Sequence, residues 1–135
     1  MKLNDAITEA TSLRPSEVTR STMIRWLSAL DGQIWQEIIK NYADPDPDEM
    51  PEYDPSGQHT NPDTVLLVPA PYDLLYIDYL VMRIDLQNAD FERYNNYAQR
   101  YQEEWQAYVD WYNRNHTHVN GQLEDGVYFN WALSF

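Results

Sequence analysis

Three aspartates alternate with prolines near the middle of the chain, in a pattern that would supply oxygen ligands for calcium. Asp44, Asp46 and Asp48 have the spacing of the first ligands of an EF-hand loop. The match then fails, because Glu49 replaces the turn glycine and Pro55 replaces the final glutamate. A solvated acidic loop is therefore predicted. Its acidic residues are Asp44, Asp46, Asp48, Glu49, Glu52 and Asp54.

The histidines are the next candidates for chemistry. His116 and His118 are two residues apart, a pair that binds a transition metal only when further ligands complete the site. The sequence has no cysteine, and no neighbouring carboxylate or histidine gives a recognised ligand spacing. Surface histidines at the exit of a helix are therefore predicted, and no metal site.

Paired carboxylates suggest general acid–base chemistry or a di-iron bundle. Glu103 and Glu104 are adjacent, and Asp78 and Asp85 lie two turns apart on one predicted helix. The Glu-x-x-His motif of di-iron bundles is missing from the sequence, so this site loses its main support. We predict ion pairs for the two aspartates instead. The candidate partners are Arg83, Arg93 and Arg100.

Sequence motifs that carry catalysis are also missing. There is no glycine-rich phosphate loop, nucleophile elbow or metalloprotease motif, and the chain has only four glycines. The lack of cysteine removes thiolate chemistry and disulfides. We therefore predict that the protein is not an enzyme and has no cofactor.

The negative charge is unevenly distributed along the 135 residues, a length that suits one domain. The net charge of −13 comprises zero in residues 1–42, −7 in 43–64 and −6 in 65–135. Tight nucleic-acid binding is disfavoured, because it requires clustered Lys and Arg. The first residues lack the apolar core of a signal peptide, and no segment has the length of a membrane span, so we predict a protein made in the cytosol without membrane contact.

Apolar spacing predicts an all-α body, a small bundle of about four helices. The predicted helices run from Leu3 to Leu13, Thr19 to Tyr42, Asp73 to Gln87 and Phe91 to Asn115. Ser16 or Thr19 would cap the second helix, Asp73 the third and Asp90 the last. A long acidic, proline-rich loop spans 43–64, and Val65–Val68 forms either a short strand or an extended packing segment.

Two of these helices carry marked apolar faces. In the third helix the predicted core residues are Leu74, Ile77, Leu80, Val81 and Ile84. The last helix has an uninterrupted heptad seam, which favours a core-facing helix in a bundle over a long coiled coil. The seam residues are Phe91, Tyr94, Ala98, Tyr101, Trp105, Tyr108 and Tyr112.

The last nine residues alternate between large apolar side chains and smaller or more polar ones, a period of two that indicates a β-strand. Nothing nearby offers this strand a partner, so we predict an extended C-terminal arm that adds as a strand to another polypeptide. A spacer of about ten residues from His116 would span up to roughly 33 Å. The residues predicted to bind the partner are Val127, Tyr128, Phe129, Trp131, Leu133 and Phe135.

Two blocks of the sequence resemble a known family. They are the helix segment Trp26-Leu-x-x-Leu-Asp-Gly32 and the helix start Leu67-Val-Pro-x-Pro-Tyr-Asp73, which continues to Arg93-Tyr-Asn-Asn96. Over residues 3–115 the chain resembles the head–tail connector (adaptor, or head-completion) proteins of tailed bacteriophages and prophages. The residues that carry the resemblance are Trp26, Leu27, Leu30, Asp31, Tyr72, Asp73, Arg93, Tyr94 and Asn95.

The resemblance implies a structural virion protein at the junction of capsid and tail, assembled in the cytoplasm of the bacterial host. Such proteins form a ring, typically of twelve copies, beneath the portal protein. The ring extends the channel for double-stranded DNA, helps to retain packaged DNA and docks the next neck or tail-completion protein. On this interpretation residues 1–115 are the helical connector domain, and residues 116–135 are the spacer and docking arm.

The charge also allows a function of another class. An acidic DNA mimic would occupy the nucleic-acid site of a host enzyme, and the net charge of −13 suits that role. The charge is concentrated in a proline-rich loop rather than spaced along a helix, and the alternating arm would have no role. The structural adaptor is therefore the preferred hypothesis.

Overall fold

The computed structural model describes residues 1–56, 60–61 and 63–116. Within this part of the chain the protein is all-α, with four α-helices and no strand. The helices are α1 (Leu3–Leu13), α2 (Arg20–Glu37), α3 (Leu74–Gln87) and α4 (Phe91–Asn115), with a short 3-10 helix (Ile39–Asn41) after α2. The predicted helical class is confirmed for these residues. The predicted arm at 127–135 lies outside them.

The second helix is shorter than its apolar pattern predicts. It begins after Thr19, whose side chain accepts a hydrogen bond from the Thr22 backbone N–H at 3.1 Å. It ends at Glu37 rather than Tyr42, and a 3-10 turn follows. Two β-branched isoleucines come next, which have restricted side-chain freedom in a helix. Asn41 also donates its side-chain amide to the Glu37 carbonyl at 2.8 Å, which stabilises the helix end.

The third helix is the centre of the bundle, because it packs against α1, α2 and α4. Its boundaries agree with the prediction, but its start differs in detail. Asp73 makes no side-chain capping bond and lies instead 3.5 Å from the α-amino group of Met1. Leu74, predicted to face the core, is 50% exposed, because the buried face of α3 begins one residue later at Leu75.

A tight joint places α4 beside α3. Ala89 has a left-handed backbone with φ of 58°, and the Asp90 N–H donates to the Asp85 carbonyl at 2.9 Å. This arrangement satisfies carbonyl groups at the end of α3. The Asp90 side chain then accepts from the Arg93 N–H at 3.3 Å, so the predicted cap of α4 is confirmed.

The aromatic seam of α4 packs on α3, as predicted for a bundle helix. Tyr101, Tyr108 and Tyr112 are buried. Phe91 was also predicted to lie in the seam but is 61% exposed, because it is the first residue of α4 and lies at the end of the hairpin. Among the four described helices, α4 packs against α3 alone.

The segment after the acidic loop is extended rather than part of a sheet. Leu3 donates its backbone N–H to the Thr64 carbonyl at 2.8 Å, and Leu66 donates to the Met1 carbonyl at 2.9 Å. These bonds form one isolated bridge beside Val65. Of the two predicted alternatives for residues 65–68, the structure therefore shows the extended packing segment.

Candidate functional site

A fully buried aspartate on α2 organises the interior of the protein. Asp31 is 0% exposed. Its carboxylate accepts hydrogen bonds from the Tyr53 hydroxyl at 2.5 Å and the Tyr76 hydroxyl at 2.6 Å. A third bond comes from the Leu67 backbone N–H at 3.1 Å. The Tyr76 hydroxyl in turn accepts from the Val68 N–H at 2.8 Å, so one side chain connects α2, the loop, the extended segment and α3.

The balance of burial and hydrogen bonding sets the chemistry of this network. Burial raises the pKa of Asp31, and the three donated bonds oppose that rise. Burial next to Asp31 also raises the pKa of Tyr53 and Tyr76, so both hydroxyls keep the protons that they donate. Burial of a carboxylate is tolerated when donors surround it. The network is therefore suited to holding chain segments in place.

The network brings together two of the sequence blocks that carry the family resemblance. Asp31 belongs to the first block, and Leu67 opens the second. Trp26, Leu27 and Leu30 of the first block are also buried. Asp31 and Leu67 are 36 residues apart in sequence, and the hydrogen bond from the Leu67 N–H to Asp31 joins the two blocks directly.

The other family-like residues lie elsewhere. Tyr72 and Asp73 are half-buried at the start of α3. On α4, Tyr94 is half-buried, Asn95 is exposed, and Arg93 lies 3.5 Å from Asp90. The Arg93-Tyr-Asn-Asn96 block is therefore at the α3–α4 joint and does not take part in the Asp31 network.

The described part of the acidic loop is anchored to α2 although its charges face solvent. Trp35 donates its indole N–H to the Pro47 carbonyl at 2.8 Å, and the Tyr53 N–H donates to the Ser28 hydroxyl at 3.0 Å. Tyr53 is buried, which the charge of the loop did not suggest. Of the six predicted acidic residues, Asp54 is half-buried and accepts from the Ser56 N–H at 2.9 Å. The exposed ones are Asp44, Asp46, Asp48, Glu49 and Glu52.

A groove lies between α2 and this loop, directly outside the Asp31 network. Its volume is about 730 Å³. The floor includes Gly32, where an added Cβ would lie 3.5 Å from the Met50 sulfur. Tyr53 forms part of the wall while its hydroxyl is bonded to Asp31, so the network fixes the shape of the groove. The remaining lining residues are Arg25, Ser28, Ala29, Gln33, Gln36, Pro51, Glu52 and Pro55.

A second carboxyl site lies between α3 and α4. Asp78 is 3% exposed and lies 3.4 Å from the Arg100 guanidinium, one of its predicted partners. Glu104 lies beside Asp78, and its Oε1 atom is buried without a hydrogen-bond partner among the described residues unless one of the two carboxyl groups carries a proton. Burial and the neighbouring Asp78 raise the pKa of Glu104 to about 8, while Arg100 opposes the shift. Two carboxyl groups share one site here, which favours a proton on Glu104.

The remaining predicted ion pairs need correction. Asp85 pairs with Arg14, just beyond α1, at 2.7 Å and not with an arginine of the hairpin. Arg14 directly precedes a proline, and the turn there carries it to the end of α3. Arg83 contacts no aspartate but lies over the Trp26 ring, with its guanidinium carbon 4.8 Å from the ring centroid. This position gives a cation–π contact on the α2–α3 interface.

Aromatic residues converge where α4 ends. The His116 ring stacks on the Tyr112 ring, with centroids 3.7 Å apart and planes 7° apart. It also lies 5.9 Å from the Tyr42 ring and 6.0 Å from the Trp111 ring. His116 lies at the exit of α4, where the sequence analysis placed it, and the stacking half-buries its ring. Burial and Tyr112 raise the pKa of Tyr42 to about 12.

Other predicted features lie at the limits of the described chain. His118 and the arm residues Val127, Tyr128, Phe129, Trp131, Leu133 and Phe135 are outside the described residues. Within the described ranges, no three His, Asp or Glu side chains converge to hold a metal ion. None of the described helices has both the length and the apolarity of a membrane span.

The sequence of α2 carries a signal for the Asp31 network. Leu27, Leu30 and Ile34 form the apolar face of α2, and Asp31 has the same helical spacing. An acidic residue on a core face requires buried donors.

Comparisons with protein-family models, with curated proteins and with solved structures gave no match.

Proposed function

We propose that this protein is a non-catalytic structural adaptor of the head–tail connector kind, which forms an oligomeric ring beneath a portal. The observation that carries the proposal is the Asp31 network. The blocks Trp26–Gly32 and Leu67–Asp73, on which the resemblance rests, meet there in space. The contact makes these two blocks one structural unit, which supports the proposal that they act together.

The surface charge supports the same function. Asp44, Asp46, Asp48, Glu49 and Glu52 are exposed on a loop that is anchored to α2. A channel wall with this charge repels the phosphate backbone and lets DNA pass, whereas Lys and Arg contacts would grip it. We propose that double-stranded DNA passes through the ring without specific binding.

The arm at residues 127–135 provides the attachment in this proposal. It follows a spacer that begins at His116, where stacking on Tyr112 fixes the end of α4. A free strand edge with bulky apolar side chains gains backbone hydrogen bonds and buried area by joining a partner's sheet. The proposed partners are the portal protein and the next neck or tail-completion protein.

Attachment to portal-bearing capsids tests this function. Deletion of residues 122–135 should abolish co-sedimentation with such capsids and leave the helical circular dichroism nearly unchanged. Trp131→Ala should weaken attachment strongly, because Trp131 is the middle one of the five large apolar residues that alternate from Val127 to Phe135. Asn130→Ala is the matched control, since Asn130 would lie on the other face of the proposed strand. Full attachment by the deleted protein would reject the proposed role of the arm.

Oligomeric state provides a separate test of the ring. Electron microscopy of the protein bound to portal-bearing capsids should show a closed ring, with twelve copies expected from the resemblance. A monomer or dimer bound to the capsid would contradict the adaptor proposal even if the arm mediates attachment.

A DNA mimic is the second candidate, because the exposed carboxylates lie on an anchored loop and so form a defined acidic surface. A pull-down from host lysate separates the two functions. A DNA-binding enzyme recovered at one-to-one stoichiometry, and released by DNA competitor, would favour the mimic. Recovery of a portal protein through the arm would favour the adaptor.

A further inference from the structure

The groove between α2 and the loop is a preformed surface, and the proposed adaptor function gives no role to its apolar lining. Its floor and walls are mostly apolar, with Ala29, Met50 and Pro51 facing the open side. Tyr53 is held from both ends, by Asp31 at its hydroxyl and by Ser28 at its backbone. A rigid apolar groove of about 730 Å³ has the size of pockets that enclose ligands in general, about 300–1,000 Å³.

The polar groups of the groove define what it would bind. Gln33 and Gln36 are exposed residues of α2 that line the groove, and their amides can donate to and accept from an extended backbone. From Arg25 to Gln36 the exposed face of α2 carries no carboxylate, although the chain as a whole has a net charge of −13. The two charged residues that line the groove, Arg25 and Glu52, have opposite signs, so the groove has no net charge and favours a neutral peptide over an acidic or basic one.

Residues 127–135 have that chemistry. They contain no charged side chain, and their large apolar side chains alternate with Tyr128, Asn130, Ala132 and Ser134. One apolar edge of such a strand can enter a groove while its backbone faces the glutamine amides. Because nine extended residues span roughly 30 Å, the groove, which is about 17 Å long along α2, would hold about half of this segment.

The start of the spacer lies near one end of the groove. His116 is 5.9 Å from Tyr42 between ring centroids, and Tyr42 follows Gln36 by six residues along α2 and the 3-10 turn. Even fully extended, six residues span at most roughly 20 Å, and the groove from Gln36 back to Arg25 extends about 17 Å more along α2. A ten-residue spacer spans up to roughly 33 Å, so Val127 can reach the groove within its own subunit.

We propose that the groove between α2 and the loop binds residues 127–135 of the same chain until a partner takes them up. The docked arm covers an apolar strand edge that would otherwise promote aggregation. The inference rests on the proposed function only for the identity of the partner that displaces the arm. Docking within one chain is tested separately, in the absence of any partner.

Disulfide trapping in the full chain tests the proposal, since the sequence has no native cysteine. The variant Gln33→Cys/Asn130→Cys places one thiol at the groove edge and one in the arm. The control Gln99→Cys/Asn130→Cys places the first thiol on an exposed position of α4. A docked arm should form the first disulfide about tenfold faster than the control, independently of protein concentration, because tethering gives a high effective concentration.

Filling the groove gives a second measurement. Gly32→Leu should lower the rate of trapping in the Gln33→Cys/Asn130→Cys background to that of the control. The substitution removes a helix-interior glycine, and the neighbouring Met50 side chain at 3.5 Å from the new Cβ can move aside. Unchanged trapping in the filled groove would overturn the proposal.

The outcomes also separate this inference from the adaptor function. Equal trapping rates in the test and control pairs, or disulfides only between two copies, would overturn docking within one chain. Loss of capsid attachment on deletion of 122–135 would still support the adaptor in either case. Rapid trapping together with arm-independent attachment would support docking and reject the adaptor role of the arm.

Discussion

Two buried carboxyl sites in this protein are built from opposite kinds of neighbour. Asp31 is surrounded by neutral donors, two tyrosine hydroxyls and one backbone N–H. Glu104 faces another carboxyl group, Asp78, with only the half-exposed Arg100 to offset it. At the first site the Asp31 carboxylate accepts the hydrogen bonds of three buried donors. At the second site a proton on Glu104 removes the repulsion between two carboxylates. The same residue class therefore acts as a fixed connector in one place and as a titrating group in the other.

Loss of the acceptor at the first site should have the largest effect. Asp31→Ala leaves two hydroxyls and one N–H buried without their partner, and each unsatisfied group costs about 1–3 kcal/mol. We expect the free energy of unfolding to fall by about 4 kcal/mol in urea denaturation. A loss below about 1 kcal/mol would show that the network does not stabilise the fold.

The two tyrosines should differ although both donate to Asp31. Tyr76→Phe also removes the acceptor of the Val68 N–H, so we expect a loss of about 2–3 kcal/mol. Tyr53→Phe removes one bond and leaves no other group without its acceptor, with an expected loss of about 1 kcal/mol. Equal losses in urea denaturation would mean that the Val68 bond contributes nothing. Faster proteolysis of the 43–56 loop is expected for Tyr53→Phe alone.

The carboxyl pair should make stability depend on pH. The pKa of Glu104 is raised to about 8 from an ordinary 4.5, so the folded state retains a proton that the unfolded state releases. Its stabilising contribution is complete below about pH 4.5 and is lost as the pH rises through about 8. Glu104→Gln should flatten this decline in unfolding experiments, because the neutral amide can donate to Asp78 at any pH.

The neighbouring Glu103 provides the control for that experiment, because it is exposed on the same helix. Glu103→Gln should keep most of the wild-type slope between about pH 5 and about pH 9, because the Glu103 charge raises the pKa of Glu104 less than burial and Asp78 do. If both variants keep the slope, another group is responsible for it.

Arg100 should give the smallest effect. Its positive charge lowers the pKa of Glu104, so Arg100→Gln should move the loss of stability to higher pH. The shift should be modest and should shrink in high salt, because the Arg100 side chain is 59% exposed and therefore screened. A shift to lower pH would contradict the assignment of the titration to Glu104.

The comparison also shows what could be predicted from the sequence. The bounds of α1 and α4 follow from local signals, apolar spacing together with Pro15 and Asp90. The partners of Asp31 could not be predicted, because Tyr53 and Tyr76 are 22 and 45 residues away in sequence. Local patterns specify which face is buried. They do not specify which distant hydroxyl donates a hydrogen bond to a polar residue on that face.

The corrected predictions share one physical cause. Arg14 pairs with Asp85 because the end of α1 lies beside α3. Arg83 lies over Trp26 because α3 packs against α2 at that position. Leu74 and Phe91 are exposed because each is the first residue of its helix, where the apolar face is not yet covered. Periodicity describes the middle of a helix better than its ends.

The way α4 packs has a mechanical consequence. It is 25 residues long against 14 for α3, so its last part extends about 16 Å past the start of α3. Tension applied at its C-terminal end along the helix axis therefore loads the α3–α4 contacts in shear, all at once. The contact of the Tyr112 ring with the Tyr42 ring, 4.8 Å apart between centroids, resists sideways peeling near the point where the force enters. A helix held in this way transmits a pull to the whole body before any turn of it unwinds.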